Sequence, residues 1–177
     1  MIPTLNTERL ILSPFTNADA DAVETLAGHE AIALGTANVP HPYPPGAALA
    51  WIATHAPACA NGAGITLAVR TKDHALIGCV ALAVSHPDQH GELAYWLGVA
   101  HWNQGFITEA ARACIDFGFG DLKLHKITAR HFAYNPASGR VMEKLGMQRE
   151  GCLRKHTQKA GTFHDVIEYG LLQTDLT

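Results

Sequence analysis

The residues of this chain best suited to chemistry fall in three places. The first is the run His101-Trp102-Asn103-Gln104-Gly105-Phe106-Ile107-Thr108-Glu109-Ala110. A glycine here lets the backbone turn tightly and approach a ligand closely. A helix-like run follows, and the first turn of a helix offers unpaired N–H groups and the positive end of its dipole. Together these make an anion site suited to a pyrophosphate. The plainer alternative is an ordinary strand-to-helix turn with Gly105 as punctuation. The second place is Asn135-Pro136-Ala137-Ser138-Gly139-Arg140, a capping residue, a proline at the first helical position, then a hydroxyl and a guanidinium. The third is Glu92, a carboxylate in an otherwise apolar strand. Burial there would raise its pKa toward neutrality and fit it to accept a proton; the alternative is a solvent-facing or structural glutamate. His131 is a second candidate base, because histidine titrates in the useful range.

Regular elements must position these groups. Arg9-Leu10-Ile11-Leu12-Ser13 alternates like a strand and stops at Pro14. Thr16 or Asn17 can cap a helix whose apolar face is Val23, Leu26 and Ala27 and which ends at Gly28. His41 to Gly46 is too rich in proline to be helical, and Ala48, Trp51, Ile52 and His55 then share one helical face. Tyr43, in that proline-rich loop, could line an acceptor pocket. The period next changes to strands: Ile65 to Val69, Leu76 to Val84, and Gly91 to Val99, an antiparallel meander. A helix near Thr108 to Phe117, a strand near Lys126 to Phe132 and a helix from Pro136 to Leu145 follow, with Gly146 beyond its end. Gly151 to Lys159 and Thr162 to Leu172 read as a closing hairpin. This order predicts an α+β fold, a mixed, mostly antiparallel central sheet with helices on both faces.

The totals narrow the function classes. The 177 residues, 47% hydrophobic and 16% charged, suit a single globular domain over 1–177. The formal net charge is −3 and no basic stripe is present, which argues against nucleic acid as partner. No window approaches a membrane span, and Met1 to Thr4 lacks a basic leader pattern, so a cytoplasmic protein is expected. The cysteines, Cys59, Cys79, Cys114 and Cys152, form no C-x-x-C pair and read as reduced and buried. His86 and His90 have ligand spacing, but Pro87 and Gly91 place them in a loop, so no metal is expected.

The loop from His101 to Ala110 resembles the coenzyme A pyrophosphate loop of the GNAT acetyltransferase superfamily. Asn135 to Met147 resembles the second signature of that superfamily, in the version of the RimJ/RimL branch, named for ribosomal-protein alanine and serine N-acetyltransferases. Thr7-Glu8-Arg9-Leu10-Ile11-Leu12 resembles the opening of that branch, and Gly91-Glu92-Leu93-Ala94-Tyr95-Trp96-Leu97 its strand before the loop. The resemblance runs from about Thr7 to Leu172. The sequence departs at Ile107, where Gly or Ala is usual, at Trp102, where Arg or Gln is frequent, and at Met142, where many members carry a Tyr that protonates the departing thiolate. Ser138 is the substitute in this branch.

The resemblance implies the GNAT-like acyl-CoA N-acyltransferase fold and acetyl-CoA as cosubstrate. It places Gln104, Gly105, Phe106, Ile107 and Thr108 on the pyrophosphate, Asn135 on the pantetheine arm, and Arg140 on phosphate. It places Leu97, Gly98 and Val99 against the cofactor, where a splayed or bulged fourth strand supplies an N–H to the carbonyl oxygen. Glu92 would be the base and Ser138 the acid in a direct attack by an amine, a protein N-terminus or a small molecule. An N-terminal amine, with a pKa of about 7.7–8.0, is easier to deprotonate than a lysine near 10.4. A homodimer is allowed for. The competing readings are a non-catalytic acyl-CoA binding or sensing module, and a thiol-dependent transferase using Cys114 or Cys152, for which no Cys-His spacing is evident.

Overall fold

The computed structural model describes residues 1–176. Two strands open the chain, β1 (Leu5–Asn6) and β2 (Leu10–Ser13), with Leu10 and Leu12 fully buried and their neighbours half-exposed. The Thr16 N–H donates to the Asp19 carboxylate at 2.7 Å, and a single 3-10 turn leads into α1 (Ala20–Ala27). Arg70 pairs with the same carboxylate at 2.7 Å. A short helix, α2 (Glu30–Gly35), comes next. Its six residues are too few to show a period, so the sequence gives no sign of it. The helix expected around Ala48 to His55 is divided into α3 (Ala47–Ala53) and α4 (His55–Ala60). Pro57 explains the break: lacking an N–H, it fits only a first helical turn, so a new helix starts just before it.

The meander is β3 (Gly64–Thr71), β4 (Leu76–Ser85) and β5 (His90–Leu97). After it come α5 (Phe106–Gly120), β6 (Lys126–Phe132), α6 (Pro136–Lys144), and the hairpin of β7 (Gln148–Lys159) and β8 (Thr162–Leu172). The eight strands form one sheet in the order β1-β2-β3-β4-β5-β6-β8-β7. Neighbours are antiparallel except β5 and β6, which run parallel. One face buries Leu67, Leu82, Ile115, Met142 and Leu145 beneath α5 and α6. The other buries Phe15, Val23, Ile52 and Trp96 beneath α1 and α3. The mixed, mostly antiparallel sheet with helices on both faces is therefore the observed architecture.

The parallel pair is where the sheet opens. β5 and β6 pair only from His90↔Lys126 to Leu93↔Ala129. Beyond that point β5 stays in unbroken register with β4 as far as Gly78↔Leu97, and β6 stays with β8 as far as Phe132↔Val166. Each strand is held firmly on its outer side, and a wedge opens between them. It is a splay and not a bulge, since the β4–β5 register does not shift. Backbone groups of Ala94 to Leu97 that point toward β6 consequently have no strand partner, in a place that a ligand can reach.

Candidate active site

Two clefts meet at the splay. A groove of about 490 Å³ runs along α5 and α6, and a cavity of about 630 Å³ passes through the splay toward α1 and α3. Tyr95, Trp96 and Ser138 line both, as do Gly35 and Thr36 at the end of α2.

The groove begins at the N-terminus of α5. Gly105, at φ +80°, is the residue before its first turn, and this left-handed conformation is strained for a side chain with a Cβ. Gly105, Phe106, Ile107 and Thr108 line the groove, as do Leu97, Asn135, Ser138 and Arg140. Gly98, Val99 and Gln104 do not. Gly98 instead gives its N–H to the Ile77 carbonyl at 2.8 Å, and the Gln104 side chain turns back to the Ala100 carbonyl at 3.0 Å. Trp102 occupies its unusual position by donating its indole N–H to the Leu97 carbonyl at 2.6 Å, which fixes the end of β5.

The loop is braced from the N-terminal strands. Glu109 accepts from the Thr7 hydroxyl at 2.5 Å, the Arg9 N–H at 2.8 Å and the Arg9 Nε at 2.7 Å. Burial alone would raise the Glu109 pKa, but the Thr7 and Arg9 bonds outweigh it and hold the carboxyl below its ordinary value. Arg9 also donates Nη1 to the Gln104 carbonyl at 3.0 Å and lies 4.6 Å over the Phe106 ring. Glu109 therefore does more than complement the helix dipole, and the Thr7-Glu8-Arg9 opening acts as the support of the loop.

Among the described residues that line the groove, the charged side chains are Arg140 and Lys144, with no Asp or Glu. Unpaired helix N–H groups together with two cations suit the phosphates of a coenzyme A, and the unpaired β5 edge suits the amides of its pantetheine arm. The chain's donors and charges fit acetyl-CoA. No group of three or more His, Cys, Asp or Glu able to hold a metal occurs among the described residues.

Asn135 is not the side-chain cap that its position before Pro136 suggests. Its Nδ2 donates to the Gly35 carbonyl at 3.2 Å, and the neighbouring Tyr134 hydroxyl donates to the Leu34 carbonyl at 2.8 Å. These bonds fasten the last turn of α2 across the splay. Ser138, in the first turn of α6, has its hydroxyl 3.0 Å from that of Tyr95, and the Tyr95 hydroxyl donates to the Ser138 carbonyl at 3.1 Å. Burial pushes the Tyr95 pKa up to about 12, more than its bond to Ser138 lowers it. Tyr95 is a junction side chain that sequence reasoning misses, because a tyrosine in an apolar strand reads as core or wall. Its alternation with Glu92 carries the signal, since residues 93, 95 and 97 face α6 while 92, 94 and 96 face α1 and α3.

Glu92 lies in the cavity but is not buried. Its side chain is 45% exposed and grips Arg130 of β6. Arg130 donates Nε to Oε1 at 3.0 Å and Nη2 to both carboxylate oxygens at 2.8 Å. Leu93, Tyr95 and Leu97 are on its other face, while Ala94 and Trp96 share the face of Glu92, which the cavity leaves open at its end. A carboxylate has about four lone-pair sites, so after these three bonds one remains, on Oε2. His131 is buried on the α6 side, with Nδ1 donating to the Phe132 carbonyl at 2.8 Å and the ring pressed against Gly139. It also lines the cavity, with Nε2 lying against Gly139, and stays the second candidate base after Glu92. Cys114 is fully buried away from both clefts, and burial pushes its thiol up to about 12. Cys152 is exposed, not buried as expected, and lines neither cleft. Neither thiol can serve as a nucleophile here. Tyr43 does line the cavity.

A sheet opened at one parallel pair, with a helix start suited to phosphate beside it, fits an acyl-coenzyme A transferase class of protein. The acetyltransferase (GNAT) domain model matches residues 9–148. The chain belongs to the GNAT acetyltransferase family and is an N-acetyltransferase that uses acetyl-CoA. It is 30% identical over 177 residues to the uncharacterized N-acetyltransferase YoaA of Bacillus subtilis, covering 98% of each chain. It is 29% identical over 99 residues, 55% of each chain, to the ribosomal-protein-serine acetyltransferase of Escherichia coli, consistent with the RimJ/RimL resemblance. Among solved structures, a GNAT-family acetyltransferase from Bacillus anthracis has a TM-score of 0.87 at 24% identity, covering 97% of this chain and 99% of that one. The spermidine N-acetyltransferase of Vibrio cholerae, in complex with CoA and spermine, has a TM-score of 0.83 at 22% identity, covering 97% and 100%. No helix among the described residues is long and apolar enough to cross a membrane.

Proposed function

We propose that this enzyme acetylates a primary amine, a small molecule or a protein N-terminus, by direct attack within a ternary complex. The observation that carries the reading is the meeting of the two clefts at Tyr95, Trp96 and Ser138, where a thioester and an amine can touch with no protein group between them. Proximity then supplies much of the acceleration. The one thiol in the cavity wall is Cys79, and burial pushes its pKa upward, so it is not a thiolate nucleophile.

The residues divide the work by position. N–H groups on the unpaired edge of β5 stabilise the oxygen that gains charge in the tetrahedral intermediate. Glu92 accepts the amine proton, directly or through water, with the lone pair that Arg130 leaves free. Ser138 passes a proton to the sulfur as the C–S bond breaks, which releases the free thiol, and takes a proton back from water; Tyr95 holds that hydroxyl in place. The alternative of a binding module gives no use for a donor pair at the junction.

Initial-rate kinetics with both substrates varied test this directly. Intersecting lines are expected for a ternary complex, whereas parallel lines mark an acyl-enzyme and would overturn direct attack. Glu92→Gln keeps size and hydrogen bonding but removes the basic carboxylate. It should depress kcat/KM most at neutral pH and recover as pH rises toward the acceptor pKa; a profile parallel to wild type would remove Glu92 from the base role.

A further inference from the structure

We propose that the acceptor is a small monoamine, one ammonium group on an apolar body of about aromatic size, and that polyamines are rejected by charge. This rests on the reading of the 630 Å³ cavity as the acceptor side.

The charge lining decides it. Among the residues lining the cavity, the charged side chains are Glu92 and Arg130. They neutralise each other through bonds of 2.8 to 3.0 Å. The loop from Thr36 to Pro40 roofs another part of the cavity. Its carbonyls could have received a second ammonium, but Lys159, from the tip of the β7–β8 hairpin, already donates Nζ to Val39 at 2.6 Å and to Ala37 at 3.3 Å. These carbonyls are thus already bonded to a cation, and the roof offers a second ammonium no carboxylate. A second cation on the substrate would enter a space with no free counter-charge, and an unpaired charge taken out of water is costly.

A single amine on an apolar body meets the opposite conditions. Tyr43, Trp51, Trp96 and Phe132 line the cavity, with Val39 and Val166. Aromatic faces attract one cation without requiring a carboxylate, and the body of the ligand replaces water on these walls. The volume of about 630 Å³ falls within the range of about 300–1,000 Å³ typical of small-molecule sites.

The experiment is thiol release from acetyl-CoA by the full-length protein with phenethylamine, tyramine, spermidine, spermine and a short peptide with a free N-terminus. The monoamines are expected to exceed spermidine in kcat/KM by about tenfold or more. Spermidine equal to or better than phenethylamine overturns the proposal, as does a peptide better than both monoamines. Arg130→Gln should unmask Glu92 and raise spermidine relative to phenethylamine by about tenfold. Lys159→Met, on the exposed hairpin, should move the ratio in the same direction. Unchanged ratios in both variants overturn the charge argument. Thiol release from none of the amines, with acetyl-CoA still bound, overturns the acetyl-transfer reading itself and is distinct from a wrong choice among active amines.

Discussion

The groove and the cavity are built by different means from opposite faces of one opening in the sheet. The groove works with backbone: a helix start, a left-handed glycine and the unpaired edge of β5, with Arg140 and Lys144 as its charged lining. The cavity works with side chains drawn from many elements, and its one ion pair leaves it electrically neutral. A binding surface made of backbone depends on a short local pattern and tolerates variation in most side chains. One made of scattered side chains has no local pattern at all. The groove should therefore be sensitive to conformation and the cavity to charge.

That difference also explains what the sequence reveals. Gly105 before a helical run, and Asn135-Pro136 before another, mark the groove, because each dictates its own local geometry. The strand and helix order likewise follows from period and punctuation. The cavity depends on where β5 and β6 part, and no residue at Leu93 or Ala129 announces it. Glu92 is visible, but its exposure is not, since it depends on the cavity that the parting strands leave open beside it. Arg130, its partner, lies 38 residues away in sequence, and the pair exists only once the parallel strands are aligned. Asn135 shows the same limit from the other side. Its local context predicts a cap, and a long-range contact with Gly35 takes its amide instead.

The largest effect expected is on the backbone side. Gly105→Val places a β-branched residue at φ +80°. A free loop that relaxes to escape strain of roughly 1–3 kcal/mol must restore it on binding, so coenzyme A binding should be weaker by about five- to 150-fold in calorimetry. The acceptor KM at saturating acetyl-CoA should hardly change. Equal loss on both sides would break the separation of groove from cavity.

At the junction the expected effect is on turnover. Ser138→Ala should lower kcat by about tenfold or more, with the dissociation constant for acetyl-CoA within about twofold. A variant that keeps wild-type kcat would return Ser138 to the wall of the groove.

Tyr95→Phe removes one hydroxyl from a buried pair. A single hydrogen bond contributes about 0.5–1.5 kcal/mol, so kcat should fall by about two- to tenfold. If Tyr95 acts through Ser138, the same substitution in the Ser138→Ala background should cost nothing further in kcat, and the double-mutant cycle should show coupling. Additive losses would mean that Tyr95 works independently, for instance by packing against α6. Comparing thermal stability of the single and double variants separates packing from catalysis, because a packing loss persists in both.

The smallest effect concerns the roof. Lys159 holds the Ala37 and Val39 carbonyls, and burial lowers its pKa from the ordinary value of 10.5. Lys159→Met keeps the length of the stem but removes the donors. For a monoamine, acceptor KM should rise by only about two- to threefold, since the bonds are partly solvated and each is worth about 1 kcal/mol or less. Acetyl-CoA affinity should stay the same, because the groove does not touch this loop beyond Thr36. The pH dependence supplies the sharper test. A depressed lysine pKa means that the charged donor is fully present at neutral pH and is lost, as pH rises, earlier than from a free lysine. The ratio of variant to wild-type acceptor KM should therefore be greatest near neutrality and close toward one on the alkaline side. Taking the ratio cancels the titration of the amine itself, which both proteins share. A ratio that stays constant across pH would show that the Lys159 charge has no part in holding the roof, whose position would then depend on packing such as that of Val39 against the core beneath α1 and α3.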